Sequence, residues 1–148
     1  MKILIAAIGK AKTASPEHQL FLDYTKRLPW KVECKEFDVR PADKAKEAEK
    51  LLAACEGYDR IIALDETGEV LSSEVFADKM QSWQQKGYSS FAFIIGGADG
   101  LDDKVHRCAH TLWSFGKVTW PHMLVRGLLA EQLYRSYSIM TNHPYHRA

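Results

Sequence analysis

Residues 91–100 read FAFIIGGADG, and this segment determines the architecture that the rest of the chain must fit. Five consecutive apolar residues, Phe91–Ile95, run directly into a turn that contains Gly96, Gly97 and Gly100. A short, continuous apolar run that ends at turn residues is typical of a strand covered on both faces, as in a parallel sheet. Ligands bind beyond the carboxyl ends of such strands, so the turn is a candidate wall of a ligand site.

Strand-like and helix-like segments alternate on both sides of this segment. Further strands are predicted at 3–8, 31–39 (an edge strand, from its polar alternation), 60–64 and 112–115. Helices are predicted from 16 to about 29, and at 43–55, 73–86, 103–109 and 121–139. Helical crossovers make successive strands parallel and place helices on both faces of the sheet. The sequence therefore predicts one α/β domain over residues 1–148, a three-layer sandwich with a mainly parallel sheet.

Composition limits the classes of protein to consider. The chain has 148 residues, 46% hydrophobic and 26% charged, which is typical of a soluble globular domain. Its net charge of +1 gives no overall attraction for nucleic acid, so any RNA contact must come from local clusters or from a dimer. The N-terminal apolar run 3–8 is too short for a signal sequence or a membrane span. Three scattered cysteines favour free thiols in a reducing compartment, so we expect a cytoplasmic protein.

Three loops are expected at the carboxyl edge of the sheet: 64–68, 96–100 and 115–120. The phosphate-binding patterns GxxxxGK[ST] and GxGxxG are absent from these loops, which disfavours a kinase or a dinucleotide-dependent dehydrogenase. The acids Asp65 and Asp99 would also repel a pyrophosphate. An uncharged or cationic ligand fits better, and S-adenosylmethionine, a sulfonium, is one such ligand. The glycines agree equally well with simple strand-to-helix turns, so a ligand pocket stays one of two interpretations.

His106 and His110 are four residues apart on a predicted helix and would face the same side. A metal site needs at least three protein ligands, and no third ligand is evident nearby. We therefore favour two surface histidines and expect no metal.

The C-terminal quarter is rich in groups that RNA-binding sites use. A long helix beginning at Pro121-His122 carries arginines at 126 and 135, and the tail 142–147 reads NHPYHR. Aromatic rings stack on bases and arginines pair with phosphates. The alternative is a solvated chain end with incidental charge.

The chain resembles the SPOUT-class ribosomal RNA large subunit methyltransferase H family. The matching motifs are Leu64-Asp65 with Gly68, Ile95-Gly96-Gly97 with Gly100, Pro121-His122 with Leu124-Val125-Arg126, Glu131–Arg135 and Asn142–Arg147. The resemblance implies methylation of N3 of a pseudouridine in the helix-69 stem-loop of 23S rRNA, on the large subunit or whole ribosome. It also implies a C-terminal trefoil knot, S-adenosylmethionine as the cofactor and a homodimer built on the last helix.

The resemblance also assigns roles to residues. The cofactor would be bound by Leu64, Gly96, Phe115, Gly116, Lys117, Val118, Thr119 and Trp120. RNA contacts would come from His122, Arg126 and Arg135. The catalytic contributors would be the tail residues Tyr145, His146 and Arg147, acting within one chain or across the dimer. No residue is identified as the general base.

Two other functions stay open. A catalytically idle RNA-binding or ribosome-assembly factor would retain the fold without turnover, because a fold does not fix a function. A SPOUT relative that methylates transfer RNA is disfavoured by the tail and by the small single domain. Cofactor titration and competition between the two RNAs distinguish these alternatives.

Overall fold

Five strands alternate with five helices in the computed structural model, which describes residues 1–147. In chain order they are β1 (Lys2–Ile8), α1 (Pro16–Thr25), β2 (Lys31–Phe37), α2 (Lys44–Ala54), β3 (Arg60–Val70), α3 (Ser73–Gln85), β4 (Ser90–Ile95), α4 (Asp103–Cys108), β5 (Thr111–Ser114) and α5 (His122–Met140). The predicted domain 1–148 is thus described up to Arg147, and Ala148 lies outside the described residues.

All strand pairs of the sheet are parallel, in the order β2-β1-β4-β3-β5. β4 lies at the centre, and Phe91 to Ile94 are fully buried, as their continuous apolar run predicts. β2 lies at an edge and alternates between exposed and half-buried residues, as predicted. All five strands therefore end at one edge, where the three predicted loops meet.

Helices cover both faces of the sheet. Phe21 of α1, Phe76 of α3 and Leu129 of α5 belong to the apolar cluster on one face. Leu51 of α2 and Val105 of α4 belong to the cluster on the other face. The predicted three-layer sandwich is confirmed. The trefoil knot that the resemblance implies stays a prediction.

β3 differs from its prediction because it continues past the expected turn at 65–68. Leu64 and Glu69 both pair with Trp113 of β5, so the intervening residues bulge out of the strand. Asp65 Oδ1 accepts hydrogen bonds from the Thr67 N–H (2.8 Å) and Thr67 Oγ1 (2.6 Å), which closes a local turn inside the bulge. Sequence reasoning found the turn residues correctly but missed the resumption of pairing, which depends on β5.

Among residues 1–147, no helix is both long and apolar enough to cross a bilayer. Cys34, Cys55 and Cys108 are free thiols. Burial raises the pKa of the Cys55 thiol to about 12, so this thiol stays protonated.

Candidate functional site

A cavity of about 730 Å³ opens where β3, β4 and β5 end and α5 begins. Its walls are the β3 bulge, the glycine-rich turn after β4 and the segment that joins β5 to α5. The cavity is lined by residues 64–67, 95–101, 106, 113–116, 118–122 and 125. All of the predicted cofactor residues line it except Lys117. The structure therefore brings together the three loops that the sequence assigned to one edge.

The charge of the cavity wall is negative. Asp65, Glu66 and Asp99 line the cavity, and its lining residues, all in the described part of the chain, include no lysine or arginine. Partial burial opposes ionisation of Asp65, but hydrogen bonds from Thr67 and His106 outweigh it and hold the pKa of this carboxyl below its ordinary value. The wall suits a cationic ligand and disfavours a phosphate.

The segment between β5 and α5 is fixed by contacts between its own ends. Ser114 Oγ donates to Gly116 O (2.9 Å) and accepts from the Gly116 N–H (3.1 Å). Trp120 Nε1 donates to Phe115 O at 3.2 Å. Gly116 has φ of +110°, a conformation that L side chains rarely adopt. This wall is therefore preformed rather than dependent on a ligand.

Gly68 lets the β3 bulge approach β5 closely. A Cβ at this position would lie 2.7 Å from both the carbonyl carbon and the oxygen of Leu112. Backbone cannot move aside as a flexible side chain can, so Gly68→Ala must displace the bulge or β5. We expect it to lower the free energy of unfolding by about 1–3 kcal/mol, measured by urea denaturation, and to weaken ligand binding in the cavity.

Glu69→Ala is the matched control for this prediction. Glu69 is the next residue of β3, it is exposed, and its one ion pair, with Lys79, is long at 3.9 Å. Exposed pairs of this kind contribute little, so stability should change by under about 0.5 kcal/mol. Equal stability for Gly68→Ala and wild type would contradict the close approach.

The structure corrects the prediction of two surface histidines for His106 and agrees with it for His110, which is exposed. His106 Nε2 lies 2.8 Å from Asp65 Oδ2 and the side chain lines the cavity. His110 Nδ1 accepts a hydrogen bond from the Ile61 N–H (2.9 Å). Burial, and then Arg60, lower the pKa of His110, which favours its neutral form. Both rings have partners because α4 packs beside β3. No metal-binding group of three ligands is present among residues 1–147.

Arg126 is buried, which corrects its prediction as a phosphate contact. Only 3% of its surface is exposed. Its guanidinium group pairs with Glu36 and donates to the carbonyl oxygens of Ile8 (3.2 Å) and Gly9 (2.8 Å). Arg126 therefore ties the start of α5 to the ends of β1 and β2, and no part of it is available to RNA.

His122, the other predicted RNA contact at this end of α5, lines the cavity. Burial, and then the charge of Arg126, lower the pKa of its imidazole, so the neutral form is favoured. The ring is therefore suited to accept a hydrogen bond or a proton at the cavity wall. The helix has no side-chain N-cap hydrogen bond, so a capping role for His122 is not observed.

The C-terminal tail folds back onto the middle of α5. Tyr145 Oη donates to Glu131 Oε1 (2.9 Å) and lies 3.1 Å from Tyr24 Oη. The guanidinium of Arg135 lies 4.9 Å from the centre of the Tyr145 ring. Burial, together with the hydrogen bonds to Tyr24 and Glu131, raises the pKa of Tyr145. Tyr145 is therefore a neutral phenol in this arrangement and not a base.

His146 is held in one tautomer by two charged partners. Arg135 is a permanent donor, and its Nη1 lies 3.0 Å from His146 Nδ1, so that nitrogen accepts. His146 Nε2 therefore carries the proton and donates to Glu74 Oε1 at 3.0 Å. Arg135, predicted to contact RNA, is thus engaged by His146 and Glu131. Arg147 is exposed.

A second cavity of about 290 Å³ adjoins the first, and the two share Trp113 to Gly116 and Trp120. Its polar wall includes Ser73, Gln132 and Glu131; Ser73 Oγ donates to Gln132 Oε1 (2.8 Å). Because Glu131 also binds the tail, this cavity lies between the first cavity and the tail. Sequence reasoning gave none of these three residues a role. The spacing of Glu131 and Arg135, one helical turn apart, was the available signal.

The sequence and the structure match known proteins along almost the whole chain. A family model described as "Predicted SPOUT methyltransferase" matches residues 1–146. The "Ribosomal RNA large subunit methyltransferase H" of Paramagnetospirillum magneticum is 50% identical over 99% of both chains. The protein of the same name from Rhodospirillum centenum is 46% identical over the full length of both chains.

Solved structures agree on the fold. A probable methylase family protein from Haemophilus influenzae superimposes with a TM-score of 0.61 at 10% identity, over 99% of this chain and 70% of that one. A probable methyltransferase from Bordetella pertussis gives a TM-score of 0.58 at 11% identity, over 90% of this chain and 95% of that one. Identities this low support the shared fold alone.

Proposed function

Because the chain belongs to the SPOUT methyltransferase family, and within it to the ribosomal RNA large subunit methyltransferase H proteins, we propose that it methylates 23S rRNA. The proposed reaction transfers a methyl group from S-adenosylmethionine to N3 of a pseudouridine in the helix-69 stem-loop. The observation that carries the proposal is the match to relatives of that name, one of them 50% identical over 99% of both chains.

The larger cavity fits S-adenosylmethionine. Its volume of about 730 Å³ is in the range of small-molecule sites, and its glycine-rich wall presents backbone groups. Asp65, Glu66 and Asp99 suit a ligand with a sulfonium and an ammonium group. We assign the cofactor to this cavity, held by the loops 64–67, 95–100 and 115–120. When bound, S-adenosylmethionine supplies an electrophilic methyl group.

We place the acceptor base in the second cavity, which has its own hydrogen-bonding side chains. Ser73 and Gln132 can pair with the edges of a pyrimidine, while Phe115 and Trp120 form the wall between the two cavities. The protein's main task is to align N3 with the methyl group, and such alignment alone lowers reaction barriers greatly. N3 must also lose a proton, and Glu131 is a carboxylate that lines this cavity.

The tail residues Tyr145, His146 and Arg147 are proposed to position the RNA. Tyr145 contacts Glu131, which lines the second cavity, and His146 contacts Glu74. None of the three lines the cofactor cavity. A homodimer in which α5 packs across a two-fold axis would let a tail also reach the partner's site. An rRNA substrate implies that the enzyme acts in the cytoplasm.

The test is methyl transfer from labelled S-adenosylmethionine to ribosomes that lack the modification, followed by mapping of the labelled nucleotide. Label at a helix-69 pseudouridine would support cofactor, reaction and substrate together, and ribosomes that already carry the modification should take up none. Binding of the cofactor without label on these ribosomes would make another RNA the substrate, with transfer RNA the first competitor to try. Absence of cofactor binding would favour the idle RNA-binding factor.

A further inference from the structure

The proposed substrate carries phosphates, but the arginines predicted to bind them are occupied. Arg126 is buried against Glu36, and Arg135 is held by Glu131 and His146. The cofactor cavity itself carries carboxylates, which repel phosphate. RNA affinity in proteins comes largely from cations that contact the backbone. Apart from the exposed Arg147 of the tail, the phosphate contacts must therefore come from other cations beside the cavity.

The loop that follows β1 presents two such cations on a fixed backbone. The Gly9 N–H donates to Phe37 O (2.7 Å), and the Ala11 N–H donates to Glu36 Oε2 (2.7 Å). Lys10 and Lys12 lie beside these anchored residues, and both side chains are exposed. A phosphate contact is favoured when the backbone is already anchored and the side chains are free. Less conformational entropy is then lost on binding than from a mobile loop.

This loop is attached directly to the cavity wall. A Cβ on Gly9 would lie 3.0 Å from Met123 Cε and 3.4 Å from His122 Nε2, so Gly9 touches the start of α5. His122 lines the cofactor cavity. Gly9 O also accepts from Arg126 at 2.8 Å. Lys10, the next residue, therefore lies beside the cavity, and the buried Arg126 acts as a positioning residue for the loop.

Two more exposed lysines, Lys44 and Lys46, begin α2 at the same edge of the sheet, because β1 and β2 are neighbours and end together. We call the four lysines the basic rim: Lys10, Lys12, Lys44 and Lys46. Among the ion pairs of residues 1–147, none involves a member of this rim. Within the described residues, the four ammonium groups therefore have no salt-bridge partner and are available to a ligand.

The acids around the basic rim are mostly engaged. Asp43 accepts from the Ala45 and Lys46 N–H groups as the N-cap of α2, and Asp38 pairs with Arg40. Glu17, in the first turn of α1, is half-buried. Glu36 is neutralised by Arg126. Glu47, in the first turn of α2, is buried. The charge exposed at this corner of the molecule is therefore mainly positive, in contrast to the acidic cavity beside it.

We propose that the basic rim binds the phosphate backbone of the RNA substrate, beside the cofactor cavity where β1 and β2 end. The inference rests on the proposed function, since it assumes an RNA substrate at the neighbouring cavities. The acidic cavity then attracts the cationic cofactor, and the basic rim attracts the polyanionic RNA.

The test is the double variant Lys10→Ala with Lys12→Ala, measured by ribosome binding and by steady-state methylation at several salt concentrations. Loss of two phosphate contacts should weaken binding and raise KM by about tenfold at physiological salt. The slope of log affinity against log salt should become shallower by about 1.5–2. The kcat and the affinity for S-adenosylmethionine should stay within about twofold of wild type.

The matched control is Lys31→Ala with Lys86→Ala, which removes the same charge at the opposite, amino edge of the sheet. Both control lysines are exposed, and we expect their loss to leave affinity and salt slope unchanged. Wild-type affinity and slope in the Lys10/Lys12 variant would overturn the inference. An equal loss in both double variants would also overturn it, since net charge alone would then explain binding. If wild type itself neither binds nor methylates ribosomes, the proposed function fails, and that result is visible before any variant is compared.

Discussion

Removal of the four C-terminal residues, 145–148, should reduce turnover on ribosomes by about 100-fold or more while leaving S-adenosylmethionine affinity within about threefold. Three of these residues, Tyr145, His146 and Arg147, are described, and none lines the cofactor cavity. Tyr145 contacts Glu131, which lines the cavity that we assign to the acceptor base, and His146 contacts Glu74. The loss should therefore appear in kcat on RNA and not in cofactor titration by calorimetry.

A point variant separates chemistry from packing in this prediction. Tyr145→Phe keeps the ring beside Arg135 but removes the hydroxyl that donates to Glu131. We expect turnover to fall by roughly tenfold with little change in melting temperature. Tyr58→Phe, a half-buried tyrosine near the amino edge of the sheet, is the control and should behave as wild type. Full activity of the truncated protein would mean that the tail takes no part in the active site.

Glu36→Ala should lower the free energy of unfolding by about 3 kcal/mol, because it leaves the buried guanidinium of Arg126 without its carboxylate. The same change frees the Ala11 N–H and so loosens the loop of Lys10 and Lys12. Urea denaturation measures the first effect. Weaker ribosome binding at unchanged cofactor affinity measures the second.

The pH dependence gives this prediction a second readout. Partial burial opposes ionisation of Glu36, but hydrogen bonds from Ala11 and Arg126 outweigh it, so its pKa lies below the ordinary 4.5. A depressed carboxyl pKa stabilises the fold fully above that ordinary value and loses its effect as the pH falls through the folded-state pKa. The difference between wild type and Glu36→Ala should therefore be constant near pH 7 and shrink below about pH 4.5.

Glu33→Ala is the control for Glu36→Ala, since Glu33 is an exposed carboxylate of the same strand. We expect its effect to stay under about 0.5 kcal/mol at all pH values. Glu36→Gln keeps the side-chain shape and a hydrogen-bond acceptor, so its loss of stability should lie between those of Glu36→Ala and Glu33→Ala. This variant can be measured if Glu36→Ala does not fold. Stabilities of Glu36→Ala and Glu33→Ala that coincide would mean that the pair with Arg126 contributes nothing.

The elements of the fold were predictable from local pattern, since each follows from a short stretch of sequence. The apolar run ending at Gly96 gave the central strand, and polar alternation after Lys31 gave an edge strand. The three loops of the cavity followed from one rule, that parallel strands end at the same edge. The bulge in β3 did not follow, because its second half pairs with Trp113, more than 40 residues away in sequence.

The parts of the candidate site that are formed by backbone were predictable from the sequence. The pairings between its side chains were not. The sequence analysis predicted that Arg126 is a free cation. In the structure Glu36, a carboxylate 90 residues earlier, holds it inside the protein. His106 was set aside as a surface residue, although it pairs with Asp65 at the cavity. Such pairings between distant residues leave no periodicity in the sequence. The exposed Lys10 and Lys12 belong to no sequence motif, and the role that we propose for them follows only from their position in the fold.

The strand order has a consequence for how the protein forms during synthesis. β1 can pair with β2 as soon as residue 37 is available, but its other neighbour, β4, ends at residue 95. Until then β1 has one unpaired edge and β3 has two, and such edges recruit other chains. Pairing across so many residues also slows folding, because a long loop must close before contacts form. We therefore expect nascent chains that stop before β4 to be aggregation-prone and to depend on chaperones until β4 is inserted between its two neighbours.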